Sequence, residues 1–233
     1  MVKSTSENAQ QNKNQRNSDR LNRHSGKTEG VNVRVQSQLP CQPGLTGTAL
    51  FLVGFMGAGK TSVGRTLAGR LNWTFEDLDE RIERREQRTV SQIFRDSGEP
   101  EFRRAEHAAL QDVLEEIRSG AVKIVALGGG AFVQEQNSAL LTASGVPTVF
   151  LDAPVEELWQ RCCAQASQAG TERPLLGSID QFRELYEARR QGYLRASLEV
   201  QTGHRTLDEV ASEIAQALAL KKIDVRAQEG EVE

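Results

Sequence analysis

Residues 54–62 read GFMGAGKTS and follow the apolar run TALFLV at 48–53. A strand that enters a glycine-rich turn ending in Gly-Lys-Thr, in the order G-x-x-x-x-G-K-T, is built to hold phosphate. Gly54, Gly57 and Gly59 permit the turn and let backbone N–H groups approach an anion. The helix that starts near Gly59 adds its positive end. Lys60 can reach the terminal phosphates of a nucleotide, and the Thr61 hydroxyl can ligate Mg2+. The alternative, a merely tight strand–helix turn, needs neither Lys60 nor Thr61. Neither D-x-x-G nor N-K-x-D, which a GTPase switch would need, follows later strands, so the pattern points to a small-molecule kinase.

Three further groups could form an acceptor site. Asp77 and Asp79 are two apart, so in extended chain they project to the same side. One could anchor Mg2+ through water while the other meets a substrate hydroxyl. The plainer role for Asp79 is to cap the helix that begins ERIERR. Arg103 and Glu106 are three apart, and an ordinary surface ion pair is the plainer reading of them. Gly128, Gly129 and Gly130 follow a buried strand, where three glycines would let a ligand lie against backbone.

The elements that must position these groups alternate. Strands are expected at 48–54, 73–77, 121–127 and 146–152, with a short one at 198–202. Helical stretches are expected at 60–71, 79–88, 90–96, from Pro100 through Ile117, after 154, through 179–196 and at 207–220. The continuous apolar run AVKIVAL suits a strand buried on both faces of a parallel sheet. The order predicts an α/β fold with helices on both faces, whose ligands sit beyond the carboxyl ends of the strands. Residues 166–178, rich in Gly, Ser and Pro, read as a mobile loop.

Of the 233 residues, about the first 46 are dense in Asn, Gln, Ser and basic residues with few apolar ones. Such a segment cannot offset its ordering entropy by burial and is expected to be disordered, as are 223–233; the domain is expected over 47–222. The net charge of −3 argues against a polyanion binder. No apolar run approaches the ~20 residues of a membrane span, and no secretory signal is visible. Three cysteines without metal-ligand spacing suit reduced thiols, so the cytoplasm is the expected compartment, with no nucleic-acid or membrane partner and a monomeric state.

The runs GFMGAGKTSVGRTLA, FEDLDERIE, VSQIFRDSGEPEFRRAE, LGGGA, RPLL and RRQGY occur in the order seen in shikimate kinases, and the resemblance spans about 50–220. It implies a P-loop kinase fold with a parallel five-stranded sheet and a mobile lid. It also implies ATP-dependent phosphorylation of the shikimate 3-hydroxyl, on the route to chorismate and the aromatic amino acids. It assigns ATP to Gly57, Ala58, Gly59, Lys60, Thr61, Ser62, Arg173 and Arg205, and Mg2+ to Thr61 and, through water, Asp77. Asp79 would bind the substrate hydroxyls and act as base, Arg103 and Arg189 would grip its carboxylate, and Gly129 would line the pocket. Lys60, Asp79 and Arg173 would be the catalytic groups, Arg173 descending with the lid. Planar guanidinium forks suit a carboxylate.

The chain departs from that pattern at two places. Ala166 stands where many members carry a lid arginine, and the usual R-x-P-L-Y reads Arg-Arg-Gln-Gly-Tyr at 189–193, so Arg190 is an alternative to Arg189. Two other functions fit the phosphate loop: a kinase for another small hydroxy acid such as gluconate, or a nucleotide-binding protein without catalysis.

Overall fold

The structure, a computed structural model, describes residues 34–35, 48–169 and 177–223. The chain divides into two units, Met1–Asn32 and Val33–Glu233, and every element below belongs to the second. The strands are β1 (Arg34–Val35), β2 (Ala49–Val53), β3 (Thr74–Asp77), β4 (Lys123–Ala126), β5 (Thr148–Asp152) and β6 (Leu198–Gln201). The helices are α1 (Lys60–Leu71), α2 (Leu78–Glu86), α3 (Val90–Arg118), α4 (Glu135–Ser144), α5 (Val155–Ala169), α6 (Ile179–Tyr193) and α7 (Leu207–Ala217).

Five strands run parallel in the order β6-β5-β2-β4-β3. The central β2 pairs Phe51 with Val125 on one side and with Thr148 on the other. All residues of β2, β4 and β5 are buried, as strands covered on both faces must be. A sixth strand lies outside the five expected. Residues of β1, inside the segment expected to be disordered, pair antiparallel with the free edge of β6, Arg34 opposite Glu199 and Val35 opposite Leu198.

Local chemistry sets where the helices begin. Thr89 closes a capping box with Gln92, Thr206 does the same with Glu209, and Ser178 caps α6 by accepting from the Gln181 N–H. The expected break between 96 and 100 is a kink rather than a gap. Gly98, at φ 78°, takes a left-handed conformation just ahead of Pro100, and α3 continues on both sides. Helix α5 also runs through Ala169, into the stretch expected to be loop. The rest of the expected lid, 170–176, with Gly170, Arg173 and Pro174, lies outside the described residues. Among the described residues no helix is long and apolar enough to cross a membrane.

Candidate active site

The central strand delivers its chain end to the middle of the sheet, where the strand order reverses and α/β folds place their ligands. There residues 54–59 turn into α1. Gly57 shows why the loop needs glycine: its φ is 78°, and a Cβ there would lie 2.6 Å from the Leu158 carbonyl and 3.0 Å from Cys162 Sγ. Gly59, at φ 88°, caps α1 with no side-chain hydrogen bond, so the first N–H groups of the helix are presented as donors. Lys60 arches back over the loop and donates to the carbonyls of Gly54 (2.9 Å) and Phe55 (3.0 Å).

The acidic pair is arranged differently from the extended geometry expected of it. Asp77 ends β3 and Asp79 lies in the first turn of α2. The cap of that helix is Asp77, whose Oδ1 accepts from the Asp79 N–H at 3.1 Å, so Asp79 is not the capping residue. Asp77 Oδ2 accepts from the Thr61 hydroxyl at 3.0 Å, which places a carboxylate and a hydroxyl together beside the phosphate loop. Such hard oxygen donors fit Mg2+. Asp79 is half-buried, with its Oδ1 shielded from solvent and without a hydrogen-bond partner among the described residues. Burial above all, and then the neighbouring Asp77, raise its pKa from 3.8 to about 6, against the opposing pull of Lys60 and Arg103. Lys60, Thr61, Ser62, Asp77, Asp79, Gly128 and Gly129 line one cavity of about 500 Å3.

Each of the three glycines borders one candidate side chain. A Cβ on Gly128 would lie 2.7 Å from Asp79 Oδ1, and one on Gly130 would lie 2.7 Å from Arg103 Nη2. At Gly129 the nearest side-chain atom is Arg189 Nη1, 3.9 Å from such a Cβ. The Tyr193 hydroxyl donates to the Gly129 carbonyl, and the nearby Arg189 guanidinium opposes the rise that burial gives the Tyr193 pKa and lies 5.9 Å from the Phe55 ring centre. Arg190 points elsewhere, donating to Tyr186 Oη (3.1 Å) and Asp152 Oδ2 (3.4 Å). Of the two alternatives, only Arg189 reaches the glycine turn. The altered 191–192 also has a steric reason: a Cβ on Gly192 would lie 2.6 Å from Val133 Cγ1.

Arg103 is not half of a surface pair. It donates to Glu106 Oε2 at 3.0 Å, and Glu106 is 1% exposed, with Oε1 unpartnered among the described residues. Burial pushes the Glu106 carboxyl up while Arg103 pulls it back. Glu99 takes two further bonds from Arg103, at 3.1 and 2.9 Å, and the guanidinium lies 5.2 Å from the Phe102 ring centre. Phe94 packs on Phe102 and remains 38% exposed. Sequence reasoning missed Glu106 as a buried charge and did not single out Phe94; the spacing of 94, 102 and 106 across a Gly–Pro kink hides their convergence.

Arg205 sits across the loop from the acceptor groups. It lines a second cavity of about 200 Å3 with Gly57, Ala58, Ser62, Arg161, Gln165 and Leu207. Its Nη1 donates to the Gln201 carbonyl at 2.9 Å. Arg173 lies outside the described residues. Among the described residues no group of three or more His, Cys, Asp and Glu could hold a metal.

The family model for shikimate kinase matches residues 56–219. The shikimate kinase of Cereibacter sphaeroides is 40% identical over 73% of this chain and 82% of its own, and that of Aquifex aeolicus is 35% identical over 72% and 95%. Among solved structures, shikimate kinase from Acinetobacter baumannii in complex with shikimate superposes with a TM-score of 0.66 at 34% identity, covering 75% of this chain and 94% of that one. The matched span contains the phosphate loop from Met56 onward, the acidic pair, the glycine turn and both arginines. This chain belongs to the shikimate kinase family.

Proposed function

We propose that the protein transfers the γ-phosphoryl group of ATP to the 3-hydroxyl of shikimate, giving shikimate 3-phosphate and ADP. The observation that carries this reading is the glycine turn: Asp79, Arg189 and Arg103 meet it at successive residues, beside the loop that holds Lys60. A substrate with a carboxylate at one end and hydroxyls at the other matches two guanidinium forks at one end and a carboxylate at the other.

Phosphoryl transfer is mostly positioning and charge neutralisation. The N–H groups of 57–62 and the Lys60 ammonium hold the phosphates of ATP. Thr61 and Asp77 would hold Mg2+, which when bound neutralises phosphate charge. Asp79 orients the acceptor hydroxyl, and its carboxylate accepts the proton that the hydroxyl loses. Arg103 and Arg189 fix the carboxylate and so the ring, with Gly129 against its face. The assignment of Arg173 to the phosphates rests on the resemblance of RPLL, and that of Arg205 to the nucleotide on its cavity beside the loop.

Cys162 and Cys163 are in no disulfide among the described residues, which supports a reducing, cytoplasmic setting. We further infer a monomer whose kinase domain covers 47–222 between polar segments 1–46 and 223–233.

A coupled assay of ADP release, run with ATP alone, with shikimate and with gluconate, tests the function. Turnover is expected only with shikimate. Turnover with gluconate instead would favour the other hydroxy-acid kinase, and none with either would favour a binding protein without catalysis.

A further inference from the structure

Asn137, in the first turn of α4, is completely buried, yet neither of its amide atoms is idle. Its Nδ2 donates to the Ala131 carbonyl at 3.2 Å, and its Oδ1 lies 2.7 Å from His107 Nδ1. A carbonyl can only accept, so the amide nitrogen must face Ala131 and the amide oxygen must face the ring. His107 Nδ1 therefore carries the proton and donates it to Asn137. Flipping the amide would set its oxygen against the Ala131 carbonyl, two acceptors face to face, and lose that bond. The pair has a single arrangement.

Ala131 closes the glycine turn, with its own N–H bonded to the Gly128 carbonyl at 3.0 Å. Three successive glycines have no side chains with which to anchor themselves, so their place must be set from outside. Tyr193 does this at the Gly129 carbonyl, and Asn137 at Ala131. The partner of Asn137 is informative. His107 follows Glu106 on α3 and stands one turn from Arg103. The same helix thus meets the turn twice, directly where Arg103 abuts Gly130 and indirectly through His107 and Asn137 to Ala131. Two attachments fix a separation and an orientation, where one would leave a pivot.

We propose that Asn137, held by His107, is a positioning residue of the acceptor pocket, which sets the glycine turn against α3 so that Arg103 and Asp79 keep the geometry that binds the acceptor acid. This rests on the reading of Arg103 and Asp79 given above. A buried amide leaves a costly unsatisfied group if either partner is lost. The plainer role, a bond that only seats the start of α4, makes a different prediction. Loss of seating lowers stability without separating the two substrates.

The test measures KM for shikimate and for ATP, kcat and Tm in Asn137→Leu, His107→Ala and His107→Gln, with Arg103→Ala beside them. Asn137→Leu should raise the shikimate KM about tenfold or more and leave the ATP KM within about twofold, because a small displacement of a substrate-holding group weakens only that substrate. His107→Ala should raise the shikimate KM less, since Asn137 keeps its bond to Ala131 but loses its orientation. His107→Gln, whose amide can donate to Asn137 Oδ1, should restore most of that loss. Unchanged KM values for both substrates, whatever happens to Tm, would overturn the proposal, and so would a parallel rise in both. If Asn137→Leu does not fold, the two His107 variants decide: a shikimate KM that is raised by Ala and restored by Gln supports the proposal, and identical values overturn it. Arg103→Ala separates the two levels of failure. A normal shikimate KM in that variant sinks the reading of the pocket itself; a raised one beside silent Asn137 and His107 variants sinks only this inference.

Discussion

At the residue scale the unusual group is Asp79, a half-buried carboxyl with one shielded, unpartnered oxygen, which the proposed role of base requires to be charged. Its pKa in the fold is about 6 against an ordinary 3.8. Above pH 6 the folded protein holds a charge that the unfolded chain holds more easily, which costs up to about 3 kcal/mol. Below pH 3.8 the carboxyl is neutral in both states and the cost disappears. Asp79→Asn should therefore raise Tm by several degrees at pH 7.5 in the metal-free protein, with a gain that shrinks towards pH 4, while turnover collapses. A Tm at or below the parent's at pH 7.5 would show that burial does not strain this carboxylate. Arg103 fails in the opposite way. Arg103→Lys keeps the charge but loses the fork that bonds Glu99 and Glu106 and would grip a carboxylate. The shikimate KM should rise by an amount equivalent to about 1–3 kcal/mol, the range of a charge-assisted hydrogen bond, while the ATP KM holds. An unchanged shikimate KM would leave Arg103 as no more than the partner of Glu106.

At the element scale much was legible, because alternating apolar runs and cap residues are local signals. The strands at 49–53 and 148–152 express near-neighbour chemistry; the caps at Ser178 and Thr206 are equally local but were not singled out in the sequence. What the sequence hid is chemistry shared between distant elements. Lys123 stands in a run that reads as apolar, yet it is 8% exposed and charged. Its partners are Glu76 on β3 (2.9 Å) and Glu116 on α3; Arg81 on α2 bonds the same two carboxylates at 2.9 and 2.7 Å. Two cations and two anions thus tie β3, β4, α2 and α3 together next to Asp77. Hydrogen bonds from Arg81 and Lys123 hold the Glu116 carboxyl down at about 2. Replacing Lys123 with Met should cost about 1–3 kcal/mol in urea unfolding at pH 7, below the 3–5 of a fully buried pair because Glu116 is partly solvated. A carboxyl with a lowered pKa stabilises the fold above its unfolded value of 4.5 and loses that contribution as pH falls towards 2, so the variant and the parent should converge over that range. A constant difference across it would mean that packing, not charge, is what Lys123 supplies. The same non-locality hides the contact of Asn137 with His107, 30 residues away, and the burial of Glu106, which its spacing from Arg103 does not announce.

At the scale of the whole molecule, the parallel sheet ends at β6, and there the described residues of the polar N-terminal segment contribute an element that its composition did not announce. Two residues, Arg34 and Val35, run antiparallel along β6, whose other edge pairs in parallel with β5. An open strand edge offers unpaired N–H and C=O groups to other chains, and a short covering strand is one way to blunt it. The stabilisation is small: a ladder this short adds a few hydrogen bonds of about 0.5–1.5 kcal/mol each, offset by the entropy of ordering the strand. Three forms of the protein separate the contributions: the full chain, one starting at Val33 and one starting at residue 47. Starting at Val33 should leave Tm within about a degree of the full chain. Starting at 47 should lower it by about 2–4 °C, the shift that about 1 kcal/mol gives in a domain of this size. The shortest form should also self-associate more at high concentration, seen by light scattering, as its β6 edge is uncovered. The kcat values of all three should agree, because β6 lies at the far edge of the sheet from Asp77 and the phosphate loop leaves from its centre. Identical Tm and scattering in the two truncated forms would show that β1 protects nothing, and the whole of 1–46 would then be dispensable to the fold.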